Sequence, residues 1–143
     1  MYTGEYNHTV DSKGRLILPS KLRDALGDEF VVTKGIDGCL FVYDKTEWSE
    51  FEEKLTALSI TNRESRKALR FFLSGAVTAE VDKQGRFLIP TNLREYAGLE
   101  KDVVLIGCGR NVEIWDKQRL ADINVDSDVE ATMDYLNDIG VRL

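Results

Sequence analysis

The sequence predicts an α+β fold, rich in β-strands, in which two tandem β-β-α-β-β units pair within the chain and are joined by linking and C-terminal helices. Three observations predict it: an internal repeat, strand-like alternation at the start of each repeat copy, and helical spacing of apolar residues between the copies. The chain has 143 residues, of which 43% are hydrophobic and 31% charged, which is typical of a folded globular protein.

An internal duplication organises the chain. Residues 4–19 read GEYNHTVDSKGRLILP and residues 75–90 read GAVTAEVDKQGRFLIP, so Asp-x-x-Gly-Arg and a following proline recur at an offset of 71 residues. After one inserted residue the match continues at an offset of 72, where the Val-Val pairs at 31–32 and 103–104 coincide. A match of this length indicates two copies of a unit of about 45 residues. Because so short a unit cannot bury an adequate core alone, we expect the copies to pair about a pseudo-twofold axis.

Each copy is predicted to begin with two strands joined by a tight turn. Residues 6–10 and 77–81 alternate with the period of a half-buried strand. Asp-x-x-Gly-Arg then predicts the turn, because aspartate bonds backbone groups ahead of it and glycine adopts a positive φ without steric cost. The apolar residues 16–18 and 87–89 predict second strands that are covered on both faces.

A short helix and two further strands are predicted to complete each copy. Pro19 and Pro90 end the second strand, and Ser20 or Thr91 is expected to cap the helix that follows. The helices are expected to close at glycines, and the last strands follow them: Gly27 and Gly98, then residues 30–33, 40–43, 103–106 and 112–115.

Helical sequence separates and follows the two copies. Apolar residues recur at helical spacing over 48–58, with Asp44 or Thr46 as the expected cap of that helix. A second helix is predicted over residues 62–73 and a third from Lys117 onward. The predicted organisation is unit 1 over residues 5–47, a helical linker over 48–75, unit 2 over 76–119, and an acidic C-terminal helix or tail over 120–143.

The net charge of −6 is concentrated at the C-terminus. Residues 120–143 contain six acids and a single base, Arg142, so the preceding 119 residues carry only −1. A nearly neutral body leaves room for a local basic patch, and the composition therefore permits binding to nucleic acid.

Several classes of protein and site find no support in the sequence. No apolar run approaches the roughly 18 to 20 residues that cross a bilayer, and the N-terminus lacks a signal-peptide pattern, so we expect no membrane contact and a cytoplasmic location. One histidine and two cysteines, Cys39 and Cys108, show no metal-ligand spacing, so no metal or cofactor is expected. Without a Gly-x-Ser-x-Gly elbow or a P-loop, the sequence favours a protein that is not an enzyme and has no small-molecule substrate.

Three segments together resemble the MraZ family of bacterial transcriptional regulators: GEYNHTVDSKGRLILP, RFFLSGAVTAEVDKQGRFLIP, and a strand ending in EIWDK. The resemblance covers the chain except for its acidic C-terminus, and two Asp-x-x-Gly-Arg turns 71 residues apart make it specific. It implies tandem SpoVT-AbrB-like units, each half of a swapped-hairpin barrel. It also implies ring-shaped homo-oligomers at the nucleoid that bind double-stranded DNA sequence-specifically, upstream of cell-division and cell-wall genes.

The two turns hold the candidate DNA contacts. A rigid glycine turn presents the planar guanidinium of Arg15 or Arg86 to a phosphate or to the O6/N7 edge of guanine. The alternative is a surface ion pair with the aspartate of the same turn, and both interpretations hold together if the aspartate orients the arginine. Lysines at the turn tips suit phosphate contacts. The predicted DNA-binding residues are Lys13, Gly14, Arg15, Lys83, Gly85 and Arg86, with Asp11 and Asp82 as turn-orienting residues.

Other polar residues near the turns favour structural roles. Lys21, Arg23 and Arg94 lie on the short helices and are interpreted as solvent-facing charges or contacts between subunits, with a supporting phosphate contact as the alternative. His8 stands where the second copy has alanine, which favours packing or a rim position over ligand binding. Gln84 stands where the first turn has lysine, so the two turns are not equivalent.

Two hypotheses of function follow from these residues. The first is a regulator that binds direct repeats in promoter DNA, because an internal pseudo-twofold leaves the outer surfaces to join head-to-tail into a ring. The second is a ring-forming protein scaffold without direct DNA readout, which the overall acidity favours.

Overall fold

Strands from both repeat copies are interleaved in one sheet. The computed structural model describes residues 1–143, with eight strands and six α-helices. The strands are β1 (Glu5–Thr9), β2 (Arg15–Ile17), β3 (Glu29–Lys34), β4 (Leu40–Tyr43), β5 (Val77–Glu80), β6 (Arg86–Leu88), β7 (Asp102–Gly107) and β8 (Val112–Asp116). The helices are α1 (Ser20–Leu26), α2 (Lys45–Thr56), α3 (Arg63–Gly75), α4 (Thr91–Ala97), α5 (Lys117–Val125) and α6 (Val129–Asp138).

Six strands form an antiparallel sheet in the order β1-β7-β8-β4-β3-β5. The first strand of each copy pairs with the other copy, β1 with β7 and β5 with β3. The second strands, β2 and β6, pair with each other as a separate two-stranded ribbon. Because neither copy completes its strand pairing alone, the two copies form one structure, and the predicted α+β, β-rich fold class is confirmed.

The sheet separates two apolar clusters. One face carries the main core, where Leu16 and Phe87 of the ribbon and the helices α1 and α4 meet sheet residues such as Phe30. Phe30 and Phe87 pack edge-to-face, with ring centroids 5.1 Å apart. The opposite face carries an aromatic cluster, in which Tyr43 of the sheet stacks on Phe51 of α2 and α3 adds a further ring. The ribbon and the α2–α3 pair therefore lie on opposite sides of the sheet.

The ribbon has one open face, so the prediction that residues 16–18 and 87–89 are covered on both faces is wrong. Ile17 and Leu88 are 47% and 55% exposed, whereas their neighbours along the strand are buried. Side chains of a strand alternate between its two faces. Because the ribbon is the outermost layer, its outer face has no element to pack against.

The short helices begin at proline and not at a hydroxyl side chain. Pro19 and Pro90 occupy the N-cap positions of α1 and α4, and neither helix has a side-chain cap, so the expected caps Ser20 and Thr91 are wrong. Pro19 is extended, with φ −54° and ψ 136°, and its carbonyl accepts two N–H groups of the first turn at 3.0 Å. The hydroxyl residues are instead the first residues within each helix.

Acidic or amide side chains begin the four longer helices. Asp44, Asn62, Asp116 and Asp128 each accept a backbone N–H three residues ahead, at the starts of α2, α3, α5 and α6. The cap of α2 is thus Asp44 and not Thr46. The acidic C-terminal segment continues from α5 into a further helix, α6. None of the helices combines the length and hydropathy needed to cross a membrane.

Candidate nucleic-acid interface

The outer face of the β2–β6 ribbon carries two arginines and two apolar side chains. In the antiparallel register Arg15 lies opposite Leu88, and Arg86 lies opposite Ile17. Directly paired residues on one face have Cβ atoms roughly 4.5–5.5 Å apart, so the four side chains form one small patch. The pseudo-twofold places one arginine at each diagonal corner of this patch.

The turn before β2 is built around Asp11. Its Oδ1 accepts the backbone N–H groups of Lys13 at 2.9 Å and of Arg15 at 2.8 Å. Its Oδ2 accepts Nε–H of Arg15 at 2.8 Å. Gly14 has a φ of +83°, in the region that favours glycine. The aspartate therefore fixes the turn and the first part of the arginine side chain together, as the sequence predicted from the local pattern.

The second turn repeats this arrangement around Asp82. Its carboxylate accepts the backbone N–H groups of Gln84 and Arg86 and the Nε–H of Arg86, each at 2.9 Å. Gly85 has a φ of +78°. One contact has no counterpart in the first turn: Nη2 of Arg86 also donates to Oε1 of Gln84. The two turns thus have the same backbone hydrogen bonds, but the guanidinium of Arg86 is bonded at both Nε and Nη2, whereas that of Arg15 is bonded only at Nε.

Hydrogen bonding keeps both turn aspartates ionised. The backbone N–H of Arg15 is the largest cause that lowers the pKa of Asp11 below its usual range, and the guanidinium and the N–H of Lys13 act in the same direction. The pKa of Asp82 is lowered in the same way, first by the backbone N–H of Arg86. The aspartate carboxylate accepts a hydrogen bond from Nε of each guanidinium and from neither of its terminal nitrogens.

Each of the two arginines is ion-paired and still partly exposed. The side chains of Arg15 and Arg86 are 30% and 26% exposed. Neither terminal nitrogen of Arg15 has a hydrogen-bond partner within the chain. Each arginine thus pairs with its aspartate and still presents hydrogen-bond donors at the surface. Lys13 and Lys83 lie exposed at the turn tips beside them.

Two further arginines, one from each copy, lie against the turns of the other copy. A Cβ at Gly14 would lie 2.6 Å from Cζ of Arg94, and a Cβ at Gly85 would lie 3.7 Å from Nη1 of Arg23. Arg94 donates to the carbonyl of Ile89 at 2.9 Å, and Arg23 pairs at 3.0 Å with Asp28, which lies between α1 and β3. Both arginines therefore have bonding partners within the chain. The guanidinium end of Arg94 is flexible and can move, so glycine is favoured at position 14 by its positive φ of +83°.

An open groove of about 620 Å³ lies between β1, α1 and the second turn. His8, Lys21 and Lys83 line it together with Tyr6. His8 is half-buried at the rim, as expected from its alignment with alanine. In the second copy the corresponding helix position is Asn92 and not lysine, so the groove adds positive charge beside only one of the two turns.

Sequence reasoning missed the apolar half of this interface. Ile17 and Leu88 were expected inside the fold because the strands read Arg-Leu-Ile and Arg-Phe-Leu, so consecutive residues on both faces are apolar. The arginine that begins each strand is the only polar residue on the open face, and so short a strand is not separated from a buried apolar run.

The cysteines take no part in this surface. Burial raises the pKa of Cys39 to about 12. Cys108 is exposed, and partial desolvation together with the carboxylate of Glu113 raises its pKa to about 11, so both thiols are protonated near neutral pH.

Comparison with known proteins gives a consistent result. The family model described as "MraZ protein, putative antitoxin-like" matches the chain twice, over residues 1–71 and 72–132. A transcriptional regulator MraZ from Clostridium beijerinckii is 51% identical over 142 residues, covering 99% of this chain and all of that protein. One from Heliobacterium modesticaldum is 58% identical over 87% of each chain, and one from Acetivibrio thermocellus is 54% identical over 92% of each.

Proposed function

The chain belongs to the MraZ family of transcriptional regulators, and from this premise we propose that it binds DNA sequence-specifically through the outer face of the β2–β6 ribbon and its two turns. The observation that carries the proposal is the symmetric presentation of Arg15 and Arg86, each anchored by an aspartate and each beside an exposed apolar side chain. The proposed role is not enzymatic.

The dimensions of the ribbon suit the major groove of DNA. That groove is about 12 Å wide and admits a two-stranded β-ribbon. An arginine whose Nε is occupied by an aspartate keeps two terminal nitrogens, which pair with O6 and N7 of guanine. Ile17 and Leu88, exposed between the arginines, are suited to contact thymine methyl groups. The turn-tip lysines Lys13 and Lys83 supply phosphate contacts.

Because the aspartates hold the two arginine side chains in place, they favour sequence-specific over nonspecific binding to DNA. A guanidinium that is already held loses less conformational freedom when it meets a base edge. Arg15 has free terminal nitrogens, whereas Arg86 shares one with Gln84. We therefore assign the stronger base contact to Arg15, with Arg86 contributing less until Gln84 releases it.

The regulator is proposed to act as a ring of copies on promoter DNA that carries direct repeats. The pseudo-twofold relates the two halves of one chain, so the remaining outer surfaces differ from each other and join head-to-tail. Successive copies then present the ribbon in one orientation, which matches repeats that run in one direction. Repeats spaced by about one helical turn place successive ribbons on the same side of the duplex.

Titration of labelled DNA from upstream of its own gene, followed by fluorescence anisotropy, tests the proposal. Arg15→Ala should weaken specific binding by roughly 5- to 150-fold at a single site, which corresponds to about 1–3 kcal/mol for a bidentate base contact. Arg86→Ala should show a smaller loss. The matched control is Arg110→Ala, because Arg110 is 65% exposed and pairs weakly with acids of α2, away from the ribbon.

Two results would contradict the proposal. If Arg15→Ala and Arg86→Ala both kept wild-type affinity, the ribbon would not be the DNA contact. If wild-type protein bound the upstream DNA no better than unrelated DNA, at any salt concentration, the scaffold hypothesis would replace it. Binding should also weaken as salt rises, by about 0.9 in the logarithmic slope for each phosphate neutralised.

A further inference from the structure

The α3 helix presents a row of basic side chains on the side of the molecule away from the ribbon. Arg63, Arg66, Lys67 and Arg70 are exposed, and they share one face of the helix because each lies three or four residues from two of the others. Phe72 packs the other face of α3 onto the aromatic cluster of the sheet. The basic row therefore points outward from the layer that lies opposite the proposed DNA contact.

Two of these four basic side chains have no partner within the chain. Arg63 and Arg70 make no side-chain hydrogen bond or ion pair, whereas Arg66 donates to the carbonyl of Ile60 at 3.0 Å and Lys67 makes an exposed pair with Glu64 at 3.4 Å. Beside the row, Leu58 and Ile60 of the α2–α3 connection are 40% and 72% exposed. The surface thus combines unpaired positive charge with exposed apolar side chains, which is typical of a contact surface and not of a merely solvated helix.

The α6 helix presents the complementary surface. Glu130, Asp134 and Asp138 recur every four residues and make no ion pair in the chain. Tyr135 and Ile139 beside them are 60% and 55% exposed. At 1.5 Å per residue, the acidic row is about 12 Å long and the basic row of α3 is about 10 Å long. The two rows match in length, in opposite charge and in having apolar side chains beside them.

We propose that α6 of one copy docks on the α3 surface of a second copy, with the acidic row against the basic row and with Tyr135 and Ile139 against Leu58 and Ile60 of the α2–α3 connection. The inference rests on the head-to-tail assembly of the proposed function and names the surfaces that form it. Two different surfaces that pair in this way make a heterologous contact, which repeats from copy to copy.

A second copy is a better occupant of α3 than DNA. The α3 row lies on the opposite side of the sheet from the ribbon, so one duplex cannot reach both surfaces of one chain. Leu58 and Ile60 at its margin suit an apolar partner, and phosphates are not apolar. The acidic residues 126–138 carry the charge that the row requires.

Reversing the charges one surface at a time tests the contact. The first variant, Arg63→Glu with Arg70→Glu, makes α3 acidic, and the second, Glu130→Lys with Asp138→Lys, makes α6 basic. Light scattering after size-exclusion chromatography measures the mass of each full-length protein, and circular dichroism checks that each is folded. Each variant alone should fall to the 16.2 kDa of one chain under conditions where the wild type is larger.

Mixing the two variants in equal amounts should restore the wild-type mass. In the mixture, the acidic α3 surface of one variant meets the basic α6 of the other, and the unchanged surfaces pair as in the wild type. The matched control is Glu53→Lys with Glu100→Lys, because both acids are exposed and make no ion pair. This control changes the net charge as much as the α6 variant and should keep the wild-type mass.

The outcomes separate this inference from the proposed function. If both variants kept the wild-type mass, or if mixing failed to restore it, the α3–α6 contact would be wrong although the assembly stands. If the first variant kept its mass but lost affinity for DNA, α3 would be a DNA contact and the inference would be wrong. If the wild type had the mass of one chain at every concentration, the proposed assembly and this contact would both fall.

Discussion

Phe87 and its neighbour Leu88 separate the stability of the ribbon from its proposed contact with DNA. Phe87 is 1% exposed and packs edge-to-face on Phe30, whereas Leu88 is 55% exposed on the outer face. We expect Phe87→Ala to lower the free energy of unfolding by about 3–5 kcal/mol, because the change removes a buried ring and leaves a cavity. The lost aromatic pair, worth about 0.5–1.5 kcal/mol, places the value in the upper half of that range. Leu88→Ala should change stability by about 0.5 kcal/mol or less.

Urea denaturation followed by tryptophan fluorescence measures both effects. With a slope of about 2 kcal/mol per M, Phe87→Ala should lower the midpoint by about 1.5–2.5 M and Leu88→Ala by about 0.25 M or less. Trp48 and Trp115 belong to the aromatic cluster on the other face of the sheet, so they report unfolding and not the substitution itself. All proteins are compared at one concentration, because assembly adds to the apparent stability.

Equal losses for the two variants would refute the conclusion that only one face of the ribbon is packed. A loss below about 1 kcal/mol for Phe87→Ala would refute its place in the core. In the DNA titration, Leu88→Ala should weaken binding several-fold although the protein stays stable. Unchanged affinity would remove the apolar side chains from the proposed interface.

Three further predictions concern the turns and the operator. Gln84→Lys copies the first turn and should raise the affinity for DNA, because it removes the hydrogen bond between Gln84 and Arg86. If the new lysine contacts a phosphate, the slope of log K against log salt concentration should steepen by about 0.9. The control Gln84→Ala also frees Arg86 but adds no charge, so it should not steepen this slope. The folded-state pKa values of Asp11 and Asp82 are lowered, so the stabilisation that the two ionised carboxylates provide is fully present above the ordinary aspartate pKa of 3.8 and is lost as the pH falls through the lower folded values. Urea midpoints measured from pH 7 to pH 2 should therefore fall less steeply in acid for Asp11→Asn with Asp82→Asn than for the wild type, and parallel curves would contradict this. Footprinting should show protected direct repeats, and inserting about half a helical turn between them should abolish joint protection; a single inverted repeat would contradict the head-to-tail arrangement.

The turns were predictable because their interactions are local. Asp11 bonds groups two and four residues ahead of it, and Gly14 adopts its positive φ within the same turn. Everything that shapes the turn is therefore contained in five consecutive residues. The duplication in the sequence also predicted the second turn and the pairing of the two copies, because a unit of about 45 residues cannot bury an adequate core alone.

The start of a helix is also a local matter, but there the prediction of Ser20 and Thr91 as caps was wrong. An extended proline whose carbonyl accepts the first helical N–H groups competes with a hydroxyl cap one residue later, as at Pro19 and Ser20. The backbone arrangement prevails because the proline φ suits the N-cap position and the following hydroxyl is already inside the helix.

The local pattern thus determined the repeat, the strand and helix types, and the aspartate–arginine turns of this protein. Long-range contacts decided the rest: that β1 and β5 pair with the opposite copy, that the ribbon turns Ile17 and Leu88 to solvent, and that α3 lies on the far side of the sheet. The physical reason is that an apolar residue in the sequence indicates only that its side chain favours burial. Which face is buried depends on the layers that reach it, and the outermost layer leaves one face of its own uncovered.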